Sequence, residues 1–349
     1  MLDQKIYNDR KIKVLEAVVH DYILSGEPIG SRQLAKRNSF HLSPASLRNI
    51  MSDLEDEGLL QSPHPSAGRI PSDAGYRYYI NQLIQLENLT QEEKQFIQDR
   101  VHEISPNENE ILEITSHILS SISKQLGVIL ATNFYQGIFE KMTLLPVGTN
   151  KVLMALKIKS GLVRTVVVEI KTTLSEEQCQ NVAQIINERM AGRTLEKIKN
   201  SLDIVFGDII SVDSPGFDLI RLFVDKAFSM IEADETKRLH IDGTRHIISQ
   251  SQFFSQREIL TIIEFLEEKE ALVHLLESRD KQGGVFITIG GENKEGEFKS
   301  CTILTSPYNV GDVSGTLGII GPTRMSYHRV IPLLSYTSEV LNEVFGHKV

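Results

Sequence analysis

Arg48 and Asn49 carry the side chains best matched to the edges of DNA bases. A guanidinium donates to guanine O6 and N7, and a carboxamide pairs with adenine N6 and N7. Around them Leu47, Ile50, Met51 and Leu54 recur at helical spacing and form one apolar stripe that must face a core. The opposite face then presents Ala45, Arg48, Asn49, Ser52 and Asp56. Its first two turns are small, polar and basic, and a helix N-terminus adds backbone N–H groups suited to phosphate. The same pattern also fits the solvated face of an ordinary amphipathic helix. Asp53, Glu55, Asp56 and Glu57 make the second half acidic, so on DNA such a helix must dock by its N-terminal end.

His64-Pro65-Ser66-Ala67-Gly68-Arg69 is too small and polar to pack on anything, which suits a wing lying on the duplex. His64, Ser66, Gly68 and Arg69 are its candidates, with Arg69 placed to reach a minor groove or a phosphate. An exposed turn with an incidental arginine is the competing description. Arg32, Lys36 and Arg37 can clamp a phosphate backbone, as can Arg10, Lys11 and Lys13, although helix-surface charges commonly only solubilise.

Catalytic patterns do not assemble. His102-Glu103 lacks a second histidine four residues on, so the zinc-protease pattern fails. His240 and His246 are six apart and would occupy different helical faces, as surface or loop histidines. Gly283-Gly284 and Gly290-Gly291 flank a strand without the Lys-Ser/Thr of a phosphate loop, so they read as turns. There is no Gly-x-Ser-x-Gly elbow. Cys179 and Cys301 have no activating neighbour and read as small buried hydrophobes. The sequence predicts no enzyme, no metal site and no cofactor.

The elements that position the polar face can be read in order. Ile12, Leu15, Val19 and Tyr22 mark a helix over 9–24, broken by Ser25-Gly26-Glu27-Pro28. Ser31 caps a short helix from Arg32 to Arg37, and Asn38 to Leu42 form a turn. Ser43-Pro44 starts the third helix, which runs to Glu57 with Gly58 as terminator. A strand at Leu59–Gln61, a tight loop to Gly68 and Arg69-Ile70-Pro71 follow. Helix, short helix, turn, helix, strand and glycine loop is the order of a winged helix-turn-helix. A helix from Asp73 buries Tyr76, Tyr79, Ile80 and Leu83, and Thr90 with Glu93 forms a capping box for the next.

Beyond about residue 107 the pattern becomes α/β. A helix is predicted from Ile111 to Leu126, with strands at Met142–Val147, Val152–Lys159 and Val163–Ile170. Ser175 and Gln178 cap a helix, and helical periodicity then dominates to Ser278. Strands return at Gly284–Ile289, Lys299–Leu304 and Thr316–Ile320, before a last helix from Tyr327 to Phe345. Strands, a helical block and strands again predict one sheet domain interrupted by an insertion.

Composition narrows the class. The 349 residues are 41% hydrophobic and 24% charged, which suits two or three globular domains and excludes wholesale disorder. No stretch is apolar enough to span a bilayer, the N-terminus lacks a signal-peptide core, and two cysteines give no disulfide framework; a cytoplasmic protein is expected. Residues 1–80 hold ten Lys and Arg against ten Asp and Glu, so the whole net charge of −9 lies beyond them. Any nucleic-acid site must be a local patch, and the N-terminal region is the least acidic part.

Several runs carry a family resemblance: Glu27-Pro28-Ile29-Gly30-Ser31-Arg32, Leu42-Ser43-Pro44-Ala45-Ser46-Leu47-Arg48-Asn49, Gly58-Leu59-Leu60, and Pro63 through Pro71. Gly75-Tyr76-Arg77-Tyr78-Tyr79 and Gly318-Ile319-Ile320-Gly321-Pro322-Thr323-Arg324-Met325 complete the set. In these runs the chain resembles the heat-inducible transcription repressor HrcA family, collinearly over nearly its whole length. Ser46-Leu47 stands where the family often has Thr-Ile, Ser326 stands where an acidic residue is common, and residues 172–280 match weakly.

The resemblance implies an α+β multidomain protein: an N-terminal winged helix-turn-helix and a GAF-like α/β domain interrupted by an inserted dimerising domain. The expected limits are 1–88 for the DNA-binding domain, 89–107 for a helical linker, 108–171 and 251–349 for the GAF-like domain, and 172–250 for the insert. It implies a homodimer on double-stranded DNA at the inverted-repeat CIRCE operator of chaperone operons, with the chaperonin GroEL as modulator. By position its DNA contacts would be Ser46, Arg48, Asn49 and Arg69, joining Ser43, Ala45, Ser52 and the wing. Two other readings stay open: a small-molecule sensor built on the GAF-like fold, and a winged helix that binds protein or RNA.

Overall fold

In a computed structural model the described residues are 2–36, 42–64, 67–102, 108–202, 204–206, 215–235, 238–249, 256–278 and 283–346. The chain is α+β. Three helices open it, α1 (Leu2–Ser25), α2 (Ser31–Lys36) and α3 (Pro44–Asp56). Leu15, Val18 and Val19 of α1, Leu34 of α2 and Leu47, Ile50, Met51 and Leu54 of α3 close one core, as the helical spacing predicts; Val14 joins them, while Ile12 and Tyr22 are only half-buried. The α3 start is held by Ser43, whose Oγ accepts the Ser46 N–H at 3.1 Å, with Pro44 in the first turn.

Strands β1 (Leu60–Gln61) and β2 (Ile70–Pro71) pair antiparallel, and Ile29 adds a bridge to Arg69 through two 2.9 Å backbone hydrogen bonds. Gly68 makes that bridge possible. A Cβ there would lie 2.4 Å from the Ile29 carbonyl carbon and oxygen. Helix α4 (Asp73–Tyr78), capped by Ser72, continues as a wider turn to Leu83 and buries Tyr76 and Tyr79.

Helix α5 (Gln91–His102) begins on the expected capping box: Thr90 N–H donates to Glu93 Oε2 at 2.9 Å, and Glu93 N–H to Thr90 Oγ1 at 3.1 Å. Helix α6 (Glu108–Ser123) ends earlier than its periodicity predicts. Lys124 turns the chain at φ 56°, and Leu126–Leu130 is a strand, β3, buried at every residue. A short apolar run of this kind has no alternation to separate strand from buried helix.

From Leu130 the chain leaves its sheet for a long excursion. Strands β4 (Phe139–Gly148), β5 (Lys151–Ile158) and β6 (Val163–Glu169) form a separate three-stranded antiparallel sheet. Its inner face, Val152, Met154, Leu156 and Ile158, lies in a core with Val182, Ile186 and Met190 of α7 (Glu176–Met190). Asn187 ties the two layers, accepting from Met142 N–H at 2.7 Å and donating to Met142 O at 3.0 Å. Helices α8 (Leu195–Asn200) and α9 (Pro215–Glu235) complete the excursion.

The chain re-enters the first sheet through β7 (Leu239–Asp242), which pairs with β3. Helices α10 (Thr244–Ser249), α11 (Gln256–Glu267) and α12 (Lys269–Glu277) precede β8 (Phe286–Ile289), β9 (Cys301–Val310), β10 (Val313–Pro322) and α13 (Tyr327–Gly346). The order is β7-β3-β10-β9-β8, antiparallel throughout. Leu126, Val128 and Leu130 face a cluster with Ile262, Leu272 and Leu276 of α11 and α12. Ile129, Leu317 and Ile319 face the main core with Leu112, Leu119, Leu334 and Leu341 of α6 and α13.

The expectation of one sheet interrupted by a helical block is thereby corrected. Among the described residues beyond the N-terminal unit there are two sheets, β7 sits inside the stretch expected to be helical, and the strands between residues 139 and 169 belong to the interrupting segment.

The N-terminal unit is fastened to the five-stranded sheet by polar contacts around an aromatic centre. Arg77 Nε donates to Glu292 Oε1 at 2.9 Å, its Nη2 bonds Glu292 Oε2, and Nη2 also donates to Ile287 O at 2.7 Å. The Asp73 carboxylate accepts Gly291 N–H at 2.8 Å. Arg324 Nε donates to Ile23 O at 2.9 Å, at the C-terminal end of α1 where carbonyls are orphaned. Between them the Tyr76 and Tyr327 rings pack with centroids 5.9 Å apart.

Gly68→Ala should cost about 1–3 kcal/mol, because the added methyl forces the Ile29–Arg69 bridge apart. Urea unfolding of the full chain measures it; a change below about 0.5 kcal/mol would show that the loop relaxes freely. A second expectation concerns acid. Burial pushes the Glu292 carboxyl up, but the Arg77 guanidinium and the Ile289 N–H outweigh it and hold the group below the usual carboxylate range. A depressed carboxyl stabilises the fold above its unfolded pKa, about 4.3, and that contribution fades as pH falls through the lower folded value. Glu292→Gln should therefore melt below the unchanged chain at pH 7, with the gap closing under about pH 4. A gap independent of pH would assign the contact to packing instead of charge.

Candidate nucleic-acid interface

Helix α3 turns Ala45, Arg48, Asn49 and Ser52 outward, all four exposed, while its apolar stripe is sealed into the core. Ser43 and Ser46 are committed to the helix start, their hydroxyls 2.9 Å apart, so they define the end of the helix as well as lining it. The result is a rigid helical end presenting a guanidinium, a carboxamide and small hydroxylic groups beside the positive pole of the helix.

The acidic second half of α3 is answered inside the unit. Glu55 receives Arg69 Nη2 at 2.7 Å, and Glu57 is bonded by the Lys11 ammonium from α1. Arg69 also donates through Nη1 to Ser62 Oγ at 3.3 Å, and Ser62 Oγ donates to His64 O at 2.7 Å. Arg69 thus stands at the base of the loop and ties it to α3. In this structure its guanidinium is engaged by Glu55 and Ser62. His64 is exposed, Gly68 is half-buried against Ile29, and Ser66 lies outside the described residues.

Arg32 and Lys36 are exposed on α2, and Arg37 lies outside the described residues. Sequence reasoning missed the supporting partners Lys11, Glu55, Ser62 and Ile29. The Lys11–Glu57 contact spans 46 positions, and no local spacing announces it. The only available signal was the coexistence of uncompensated carboxylates on α3 with basic residues on neighbouring elements.

The catalytic candidates do not converge. His240 lies on β7 and His246 on α10, so they share no helix, and burial lowers the pKa of both. Burial pushes the Cys301 thiol up to about 12, and Cys179 is also raised by burial. The Gly290-Gly291 turn is occupied by the Asp73 carboxylate of the chain itself. Among the described residues no group of three or more His, Cys, Asp or Glu is placed to hold a metal ion. No helix among them is long and apolar enough to cross a membrane.

Comparison with known proteins agrees with the geometry. Residues 109–331 match the family model described as the HrcA protein C terminal domain. The chain is 33% identical over 346 residues to the heat-inducible transcription repressor HrcA of Chlorobium phaeobacteroides (strain BS1), covering 96% of this chain and 97% of the relative. It is 35% identical over 345 residues to the protein so named in Chlorobium limicola, covering 95% and 96%. The counterpart in Desulfitobacterium hafniense is 31% identical, covering 97% of each. A crystal structure described as a hypothetical protein at 2.2 Å resolution superposes with a TM-score of 0.62 at 20% identity, covering 98% of this chain and 99% of that one, which shows the shared fold. With relatives above 30% identity along nearly its full length, this chain belongs to the HrcA family of heat-inducible transcription repressors.

Proposed function

We propose that the chain represses chaperone operons by binding double-stranded DNA at the inverted-repeat CIRCE operator as a homodimer, and that it leaves the operator on heat stress. The carrying observation is the divided electrostatics of α3. Its N-terminal end is exposed, polar and basic, while Glu55 and Glu57 farther along are paired with Arg69 and Lys11. That removes much of the repulsion a phosphate backbone would meet on approach.

In this reading residues 1–88 are a winged helix-turn-helix, with α3 in the major groove and the loop around His64, Ser66 and Gly68 as the wing. Arg48 and Asn49 read bases; Ser43, Ala45, Ser46 and Ser52 line the contact; Arg32, Lys36 and Arg37 touch phosphates. Arg69 positions the wing. Residues 89–107 are the linker, and the five-stranded sheet with its helices is the GAF-like domain. The pairing of β3 with β7 supports reading residues 131–238 as the insert, a wider span than the 172–250 expected from the sequence.

The insert is also where dimerisation finds support. Leu145, Leu153 and Val167 sit side by side across β4, β5 and β6 on the outer face, with Leu145 45% and Val167 50% exposed. A contiguous apolar face of this kind suits a self-complementary contact with a second copy. GroEL enters, on the strength of the family resemblance, by raising the fraction of chain that is competent to bind.

A salt-controlled titration tests the whole reading. The CIRCE duplex should bind at least ~10³ tighter than a scrambled duplex of equal length, with GroEL raising the active fraction. Equal weak binding to both, with and without GroEL, would sink it. Arg48→Ala should cost about 1–3 kcal/mol on the operator and relax preference at one position per half-site. A loss uniform over all sequences would reassign Arg48 to phosphate. Val167→Asp should convert dimer to monomer by sedimentation while leaving the fold intact, and an unchanged dimer would place the interface elsewhere.

A further inference from the structure

The connector between the N-terminal unit and the rest of the chain is short but long enough to matter. Seven residues, 84–90, lie between the turn ending at Leu83 and the start of α5. Fully extended they would reach ~23–25 Å, at ~3.3–3.6 Å per residue. Along DNA that is roughly seven base pairs for each protomer. A dimer joined to its DNA-binding units by such tethers alone would accept half-sites over a wide range of separations.

The structure does not leave the unit on a tether. Arg77 grips Glu292 through both carboxylate oxygens, and Glu292 Oε2 also accepts Ile289 N–H at 2.9 Å. Asp73, one turn earlier on the same helix, sits over Gly290-Gly291. Gly290 has φ 53°, and a Cβ there would fall 2.2 Å from the Asp73 oxygens, so the turn is shaped around this carboxylate. Arg324 holds the far end of α1 through Ile23 O and lies 5.9 Å from the Tyr22 ring. The connector itself is strapped down, with Glu87 N–H donating to His328 O at 3.0 Å. Two different helices of the unit are thus held at separate points, which fixes its orientation as well as its position.

We infer that this clasp sets the separation at which the two DNA-binding units engage an operator, making Asp73, Arg77, Glu292 and Arg324 determinants of half-site spacing. The inference rests on the dimeric inverted-repeat reading above. None of the four needs to touch DNA. They are positioning residues, and their effect is geometric: half-site spacing mirrors the fixed distance between recognition helices.

The test uses the full-length protein and four duplexes at one salt concentration: the CIRCE repeat, the repeat with its spacer lengthened by two or by five base pairs, and a single half-site. The unchanged chain should prefer the natural spacing by at least tenfold over either insertion. Arg77→Ala combined with Arg324→Ala should flatten that preference to within about threefold while single half-site affinity stays within about twofold. Glu292→Arg paired with Arg77→Glu should restore part of the preference, which a general loss of stability would not do. Asp73→Asn is the milder variant if the double change does not fold, and it should shift the preference in the same direction. Variants that keep full spacing discrimination, or that lose half-site and operator binding in parallel, would overturn the inference. An unchanged chain that binds paired and single half-sites equally would overturn the dimeric reading itself, before any variant is compared.

Discussion

The N-terminal unit meets the sheet through charge-assisted contacts set around a buried aromatic pair, and the mutual placement of the two halves depends on them. Arg77 satisfies Glu292, Asp73 is received by backbone N–H, and Arg324 closes on the carbonyls at the end of α1. Apolar burial holds bodies together without fixing an angle, whereas forked guanidinium contacts carry direction. The Tyr76–Tyr327 pair supplies a dry centre, and the polar groups around it define the orientation. Tyr76, from the run Gly75–Tyr79, packs on Tyr327 just beyond the run Gly318–Met325, whose Arg324 bonds the end of α1.

A comparable economy of charge operates inside the N-terminal unit. Helix α3, with four carboxylates in its second half and at its cap, is poorly suited to a polyanion if it is considered alone. Folding brings Lys11 from α1 and Arg69 from the β2 side onto two of them. These pairs are partly exposed, so each adds little stability on its own. Their value lies in the local field: two carboxylates at the far end of α3 are answered, while Arg48 stands exposed nearer its start. Pairing Arg69 with Glu55 also gives the loop a fixed base.

Much of the local structure was legible because it is decided within a few residues. The Ser43-Pro44 start, the Thr90–Glu93 and Ser175–Gln178 capping boxes and the apolar stripe of α3 each follow from short-range spacing. What escaped was decided at long range. Leu126–Leu130 is apolar at nearly every position because β3 is central and covered on both faces, so it carries no period of two. Strands β4 to β6 were found as strands, but partner choice is not written in a strand's own residues, and they closed on one another instead of joining β8 to β10. At the candidate site the exposed residues of α3 were legible from the helical wheel. The pairing of Arg69 with Glu55 was not, since it depends on a strand returning across the helix end.

The same separation of short-range and long-range effects bears on heat. An inverted repeat held by two linked units gains affinity from the second contact only while geometry lets both engage. That gain is sensitive to orientation, and orientation here depends on a few polar contacts and one aromatic pair. Beneath the polar contacts lies a continuous apolar core, shared by the N-terminal unit and one face of the sheet and including Tyr76 and Tyr327, that needs far more energy to open. In the proposed reading the exposed polar contacts at the rim of this joint loosen before any core opens. A repressor built this way can lose its operator while each domain remains folded, and it can regain it on cooling without refolding a core. In the proposed dimeric reading the heat response then requires no separate sensor, because the contacts that loosen would be the same ones that set the spacing of the two DNA-binding units.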